Sequence, residues 1–157
     1  MVSGGGGALP MTLSPTKVRL LAALELLYDE EPRIAVQMPL RIEARANDHR
    51  SNHWGPRAEK AKRDRMAALL LLAGSRTRVR ALLEHGLVVR VVRISPSELD
   101  SHDNLGMALK SLTDGVADAL GVNDRDERVV FVPDAERGPW GARVEFYSRT
   151  PSRRSTR

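Results

Sequence analysis

Leu105, Leu109, Leu112, Val116 and Leu120 are spaced by three and four residues, which commits the middle of this chain to one amphipathic helix. Ser101 or Asp103 can cap its start and Gly121 closes it, so the spacing predicts a helix over 104–120. A helix with a single apolar stripe must lay that stripe on something, and the flanking segments supply it. Residues 87–94 form a valine-rich strand bounded by Gly86 and by Ser95-Pro96. Residues 127–133 and 143–147 alternate as two further strands, joined by a predicted loop over 134–141.

Upstream, Ser14-Pro15 opens a helix that Pro32 ends, since serine caps and proline fits a first helical turn. Residues 34–42 read as a strand that Pro39 makes an edge or a broken one. Pro56 opens a second long helix over 56–73, basic in its first half and almost wholly apolar from Met66 to Leu72. A helical turn or two over 77–85 follows the Gly74-Ser75 break. Residues 1–13 read as a flexible lead, 14–148 as one domain, and 149–157 as a basic disordered tail. A chain of 157 residues can bury one core and is short for two.

The chain has no cysteine, which excludes a disulfide framework, a thiolate zinc site and a cysteine nucleophile. With no run of transmembrane length and no secretory leader, the expectation is a cytoplasmic protein without a membrane partner. Lysine and arginine total 25 against 20 acids, a formal charge of +5, and only Lys17, Lys60, Lys62 and Lys110 are lysine. Guanidinium groups form forked hydrogen bonds to phosphate, so an arginine-rich surface suits a polyanion. Arginine richness also follows from genome base composition, so the positions of the charges have to decide.

Six aspartates fall between 100 and 126: Asp100, Asp103, Asp114, Asp118, Asp124 and Asp126. Helical spacing projects Asp103, Lys110 and Asp114 to one side, opposite the leucine stripe, with Asp118 continuing the line. Hard oxygen donors suit Mg²⁺ or Mn²⁺, and magnesium needs only one or two carboxylates, so Asp100 and Asp103 can suffice. Asp114 and Asp118 read as ordinary helical ion-pair partners. Asp124 lies about 25 Å along the helix axis from Asp103 at about 1.5 Å per residue. One monomer unites the two only if the helix is shorter; otherwise a two-fold partner must supply the second acidic loop.

Taken together, Leu99-Asp100-Ser101-His102-Asp103-Asn104-Leu105, then Lys110, Asp114 and Gly121-Val122-Asn123-Asp124-Arg125-Asp126, resemble the Asp-x-Asp-Asn-Leu, lysine and Gly-Val-Asp-Asp pattern of RusA-like Holliday-junction resolvases of phages and prophages. The resemblance covers roughly residues 33–148 and is looser in the first half, through the strand over 34–42, His53-Trp54 and the basic helix. Two departures stand out. Ser101 and His102 intervene where the family has a single residue, so Ser101 holds the register of the first aspartate, and Asn123 replaces an aspartate of the second motif.

The resemblance implies an α+β fold: a single domain with a small mixed sheet packed against two main helices, here with an extra N-terminal helix. It also implies a homodimeric, Mg²⁺-dependent endodeoxyribonuclease that resolves four-way DNA junctions by paired cuts. Metal ligation would fall on Asp100, Asp103 and either Asp124 or Asp126, with His102 as a further ligand, and catalysis on Asp103 and Lys110. Among the basic and aromatic residues, Arg50, Trp54, Arg57, Lys60, Arg63 and Arg65 are the candidates for contacting branched DNA. The apolar run 69–72 and the first helix are candidate dimer contacts. The alternatives are a nucleic-acid-binding protein without catalysis and an inactive family member.

Overall fold

The computed structural model describes residues 14–43, 54–97, 105–123 and 125–149. It is an α+β domain in which a four-stranded mixed sheet carries helices on both faces. In chain order the elements are α1 (Pro15–Asp29), β1 (Ile34–Met38), α2 (Trp54–Leu72), a 3₁₀ turn (Ala73–Ser75), α3 (Arg76–Leu83), β2 (Leu87–Ser95), α4 (Leu105–Ala108), α5 (Lys110–Leu120), β3 (Val129–Arg137) and β4 (Gly141–Ser148).

The sheet order is β1-β4-β2-β3, with β2 parallel to β3 and antiparallel to β4, and β1 antiparallel to β4. β2 is therefore central, and its valines are buried on both sides, Val89 and Val91 with one face and Val88 and Val92 with the other. One face meets α2, α4 and α5 in the main core, where Leu87, Val89, Val144 and Phe146 pack with Leu72, Leu112 and Val116. On the opposite face, α1 lays Ala23, Leu26 and Leu27 over Val88, Val130, Val132 and Tyr147. Ser14 caps α1, its hydroxyl accepting from the Lys17 backbone N–H, and Pro15 occupies the first turn.

β1 stops at Met38, one residue before Pro39, and lies at a sheet edge as the proline requires. Two expectations are corrected. The helix over 104–120 is interrupted at Leu109, whose φ of −91° and ψ of 0° divide α4 from α5. Leu109 is buried, and Gly106 in the preceding turn is a poor helix former. Hydrogen bonds Leu109 N–H to Leu105 and Thr113 N–H to Leu109 carry the path on, so the leucine stripe stays on one side.

The expected loop over 134–141 is instead mostly strand. β3 runs on to Arg137 because Asp134 and Glu136, on one face of the strand, both accept from Arg90 of the adjacent β2, Glu136 also reaching Arg143 of β4, and Pro133 is tolerated because β3 is an edge. Only Gly138-Pro139-Trp140 joins β3 to β4, crossing the end of β2 with the Gly138 N–H donating to the Ser95 carbonyl.

The closest helix contact is at Gly115. A Cβ there would stand 2.6 Å from the Arg65 carbonyl oxygen and 2.7 Å from the Ala68 Cβ, so glycine is what lets α5 lie directly on α2. Gly121 takes φ 70° and closes α5, its N–H bonding back to Ala117 and Asp118.

Candidate functional site

Five of the residues singled out from sequence, Arg50, Asp100, His102, Asp103 and Asp124, lie outside the described residues, as do the lead 1–13 and the tail beyond Arg149. Trp54 and Arg57 stand in the first turn of α2. The fold still fixes the frame of the acidic segment. Ser97 follows the C-terminal end of β2, and Leu105 opens α4, which packs against the core.

Lys110 begins α5 and is exposed, 63% of its side chain open to solvent, with Asp114 3.6 Å away at the edge of ion-pair distance. That contact is loose enough to leave the ammonium available to another anion. The i to i+4 pairing read for Asp114 is therefore present. Asp118 departs from its expected lysine-type pairing, because Arg65 of α2 reaches across to it with two hydrogen bonds, Nη2 to Oδ1 at 2.8 Å and Nε to Oδ2. The hydrogen bond from Arg65 holds the Asp118 carboxyl below the usual carboxylate range against the effect of partial desolvation.

Arg65 is thus a clamp between two helices, and its guanidinium is not free for DNA. Lys60 is likewise engaged, 2.8 Å from Asp64 and donating to the Arg41 carbonyl at 3.2 Å. Of the expected DNA contacts with described side chains, Arg63 alone is exposed without a partner among the described residues.

Asp126 sits at the far end of the sheet. It precedes β3, whose Val129 pairs with Leu87 at the start of β2, whereas Ser95 pairs with Arg137 at the other end. Eight strand steps of about 3.3 Å separate those ends by roughly 26 Å. α4 and α5 run from Leu105 to Leu120 as two helices divided at Leu109. Asp126 is also occupied. Arg128 donates to it from Nε at 3.0 Å and Nη2 at 2.7 Å, and from its backbone N–H at 3.0 Å. Those bonds draw its carboxyl down to about 2, the side-chain bond most. Among the described residues, no group of three or more histidines, aspartates and glutamates is placed to hold a metal ion.

At the end of β2 that leads into the acidic segment, Arg93 and Arg41 flank Trp140, their guanidinium carbons 5.4 and 4.4 Å from the ring centroid. Arg93 is buried; its Nε donates to the Ile42 carbonyl at 2.6 Å and its Nη1 to the Ser95 hydroxyl at 3.0 Å. This stack fixes the loop after β1 against the corner where β3 turns into β4.

A second polar group lies on the α1 side of the sheet, beyond the reach of the helix. Arg90 donates to Asp134 (2.6 and 2.9 Å), Glu136 (3.2 Å) and Glu145 (2.9 and 3.2 Å). Arg143 donates to Glu136 (2.5 Å) and Glu145 (2.7 Å), and the Tyr147 hydroxyl donates to Glu145 at 2.6 Å. Burial opposes ionisation of Glu145, but hydrogen bonds from Tyr147, Arg143 and Arg90 outweigh it and hold the carboxyl below its ordinary range. Burial and the same carboxylate push the Tyr147 hydroxyl up. Every charge in this network has an opposite partner, which marks it as structural. Its sequence signal was an arginine within a valine strand, Arg90, and two acids at a spacing of two, Asp134 and Glu136.

No family model, curated protein or solved structure matches the chain. Among the described residues, no helix is long and apolar enough to cross a membrane.

Proposed function

We propose that this chain is a Mg²⁺- or Mn²⁺-dependent endodeoxyribonuclease of the RusA-like type, acting on branched DNA such as the four-way junction as a homodimer in the cytoplasm. The observation that supports the reading most is the chain order at one end of the sheet. A central strand runs out at Ser95, residues 98–104 carry the acids, and the helix that follows presents Lys110 to solvent with only a loose partner.

In this reading Asp103, with Asp100 or His102, holds the divalent ion, which supplies an activated water and charge stabilisation for phosphodiester hydrolysis. Lys110 holds charge on a non-bridging phosphate oxygen. Asp126 is withdrawn toward a structural role by Arg128, and Asp124 reaches the ion only from a two-fold partner. Val18, Leu21 and Leu24 of α1 and Leu70 and Leu71 of α2 are exposed apolar residues available to such a dimer contact.

The test uses purified protein with labelled four-way junction and linear duplex, with and without Mg²⁺, and maps the cuts. The expected result is paired symmetric nicks that Asp103→Ala and Lys110→Ala abolish while junction binding persists. Binding without any cleavage by the parent protein refutes the nuclease. A second reading, a nucleic-acid-binding protein without catalysis, is favoured by the unpaired basic side chains on α2 and α3, and that outcome would select it.

A further inference from the structure

We infer that α3 is a nucleic-acid contact separate from the acidic segment, its Arg76, Arg78 and Arg80 binding backbone phosphates. The inference rests on the nucleic-acid reading above and extends it to residues that neither the motif pattern nor the basic helix included.

The local sequence Arg-Thr-Arg-Val-Arg-Ala-Leu-Leu packs only Val79 and Leu83 fully into the protein and leaves all three arginines exposed. Two of the three are placed against the helix dipole, while Arg80 lies in the last turn, where it favours a cation. Arg76 and Arg78 occupy its first turn, where the macrodipole disfavours a cation, and Arg76 and Arg80 are like charges one turn apart. No acid stands in that first turn, and Glu84, just past the helix, makes no ion pair with any of them.

Elsewhere six arginines are compensated, while Arg33, Arg63 and Arg125 stand singly in other segments without an ion pair among the described residues. Arg19, Arg41, Arg65, Arg90, Arg128 and Arg143 each hold a carboxylate. Among the described residues, Arg76, Arg78 and Arg80 have no such partner. Three uncompensated guanidiniums on one short helix are complementary to a row of phosphates, which a nucleic-acid backbone supplies at regular intervals. A bilayer fits less well, since the remaining exposed positions of α3, Thr77 and Ala81, offer no large apolar side chain to insert.

The placement makes this a distal contact. α3 leads through Gly86 into the first residue of β2, so it belongs to the end of the sheet away from Ser97. A strand bound at both ends would lie along the molecule, with α3 gripping an arm of the substrate away from the proposed cleavage point.

The test is the salt dependence of binding. Fluorescence anisotropy with a labelled duplex and a labelled four-way junction gives the slope of log K against log salt for the parent and for R76Q/R78Q/R80Q. Each lost phosphate contact lowers the slope by about 0.9, so the triple variant is expected to lose up to about 2.7. R76K/R78K/R80K should retain the slope, and the thermal midpoint of the Gln variant should equal or exceed the parent's, because no intramolecular partner is lost and like-charge repulsion is relieved. An unchanged slope in a folded Gln triple variant, with the parent binding DNA, overturns the α3 assignment alone. Failure of the parent to bind either DNA overturns both this inference and the proposed function. Loss of binding to phosphatidylserine vesicles with DNA binding unchanged overturns it in favour of a membrane surface.

Discussion

Replacing Gly115 by alanine adds one methyl group at the crossing of α2 and α5. The added carbon would begin 2.6 Å from the Arg65 carbonyl and 2.7 Å from the Ala68 Cβ, whereas ordinary contact starts at 3.4 Å. The difference, 3.4 less 2.7, is 0.7 Å, and both obstacles are main chain or a buried Cβ, so no flexible side chain can yield. The helices must part, loosening Leu72, Leu112 and Val116 behind them. Overpacking of this kind costs about 1–3 kcal/mol. Against it stands a helix-propensity gain of about 0.5–1 kcal/mol for leaving glycine. The net runs from about zero to a loss of roughly 2.5 kcal/mol, and at about 2–4 °C per kcal/mol a fall in Tm of up to about 10 °C. Gly74→Ala is the control, because nothing lies within 4 Å of a Cβ there. Differential scanning calorimetry of both variants should lower Tm for Gly115→Ala and leave it level or raised for Gly74→Ala. A rise in Tm for Gly115→Ala would refute the close helix crossing, since propensity alone would then be acting.

Other expectations follow from the ion pairs. Glu145 has a folded-state pKa below its unfolded value, so its contribution to stability is full above the unfolded carboxylate range and is lost as pH falls through the depressed value. Glu145→Gln should therefore lower stability at neutral pH and flatten the acid limb of a denaturation-versus-pH profile; an unaltered limb counts against the network. Arg65→Gln should lower Tm slightly and leave DNA affinity within about twofold, because its guanidinium is committed to Asp118. A large affinity loss measured by anisotropy would return Arg65 to the DNA surface. Asp126→Asn should leave any Mg²⁺-dependent cleavage near the parent rate while Asp103→Ala removes it, and equal losses in a single-turnover assay would restore Asp126 as a ligand.

Apolar periodicity carried most of the fold. The stripe from Leu105 to Leu120, the valine strand and the proline-limited β1 were all legible because each is a local pattern with a period of its own. The residues 134–137 were not, since Asp134 and Glu136 look like loop residues until Arg90 and Arg143 are placed beside them by strands distant in sequence. The same limit governed the site. Charge and helix position suggested Arg65 and Lys60 as phosphate contacts, but a side chain's freedom depends on what the fold sets against it, and Asp118 and Asp64 are set against these two. Arg76, Arg78 and Arg80 carry little legible signal, because a helix of two turns shows little pattern and what sets these arginines apart is that no carboxylate pairs with them.

The three-residue crossing from β3 to β4 bears on how the molecule assembles. Consecutive antiparallel strands joined so tightly would ordinarily zip into a hairpin, yet here β2 lies between them and takes up the hydrogen bonds of both. The sheet therefore has no local nucleus: Leu87 finds Val129 forty-two positions on, and Ile34 finds Phe146 only after a separation of one hundred and twelve. Loops of that length must close before any strand pairing stabilises them, which places refolding toward the slow, millisecond-to-second range of two-state domains. Until β2 is seated, β3 and β4 present open edges to any neighbour, so dilution during refolding should favour the native sheet over association.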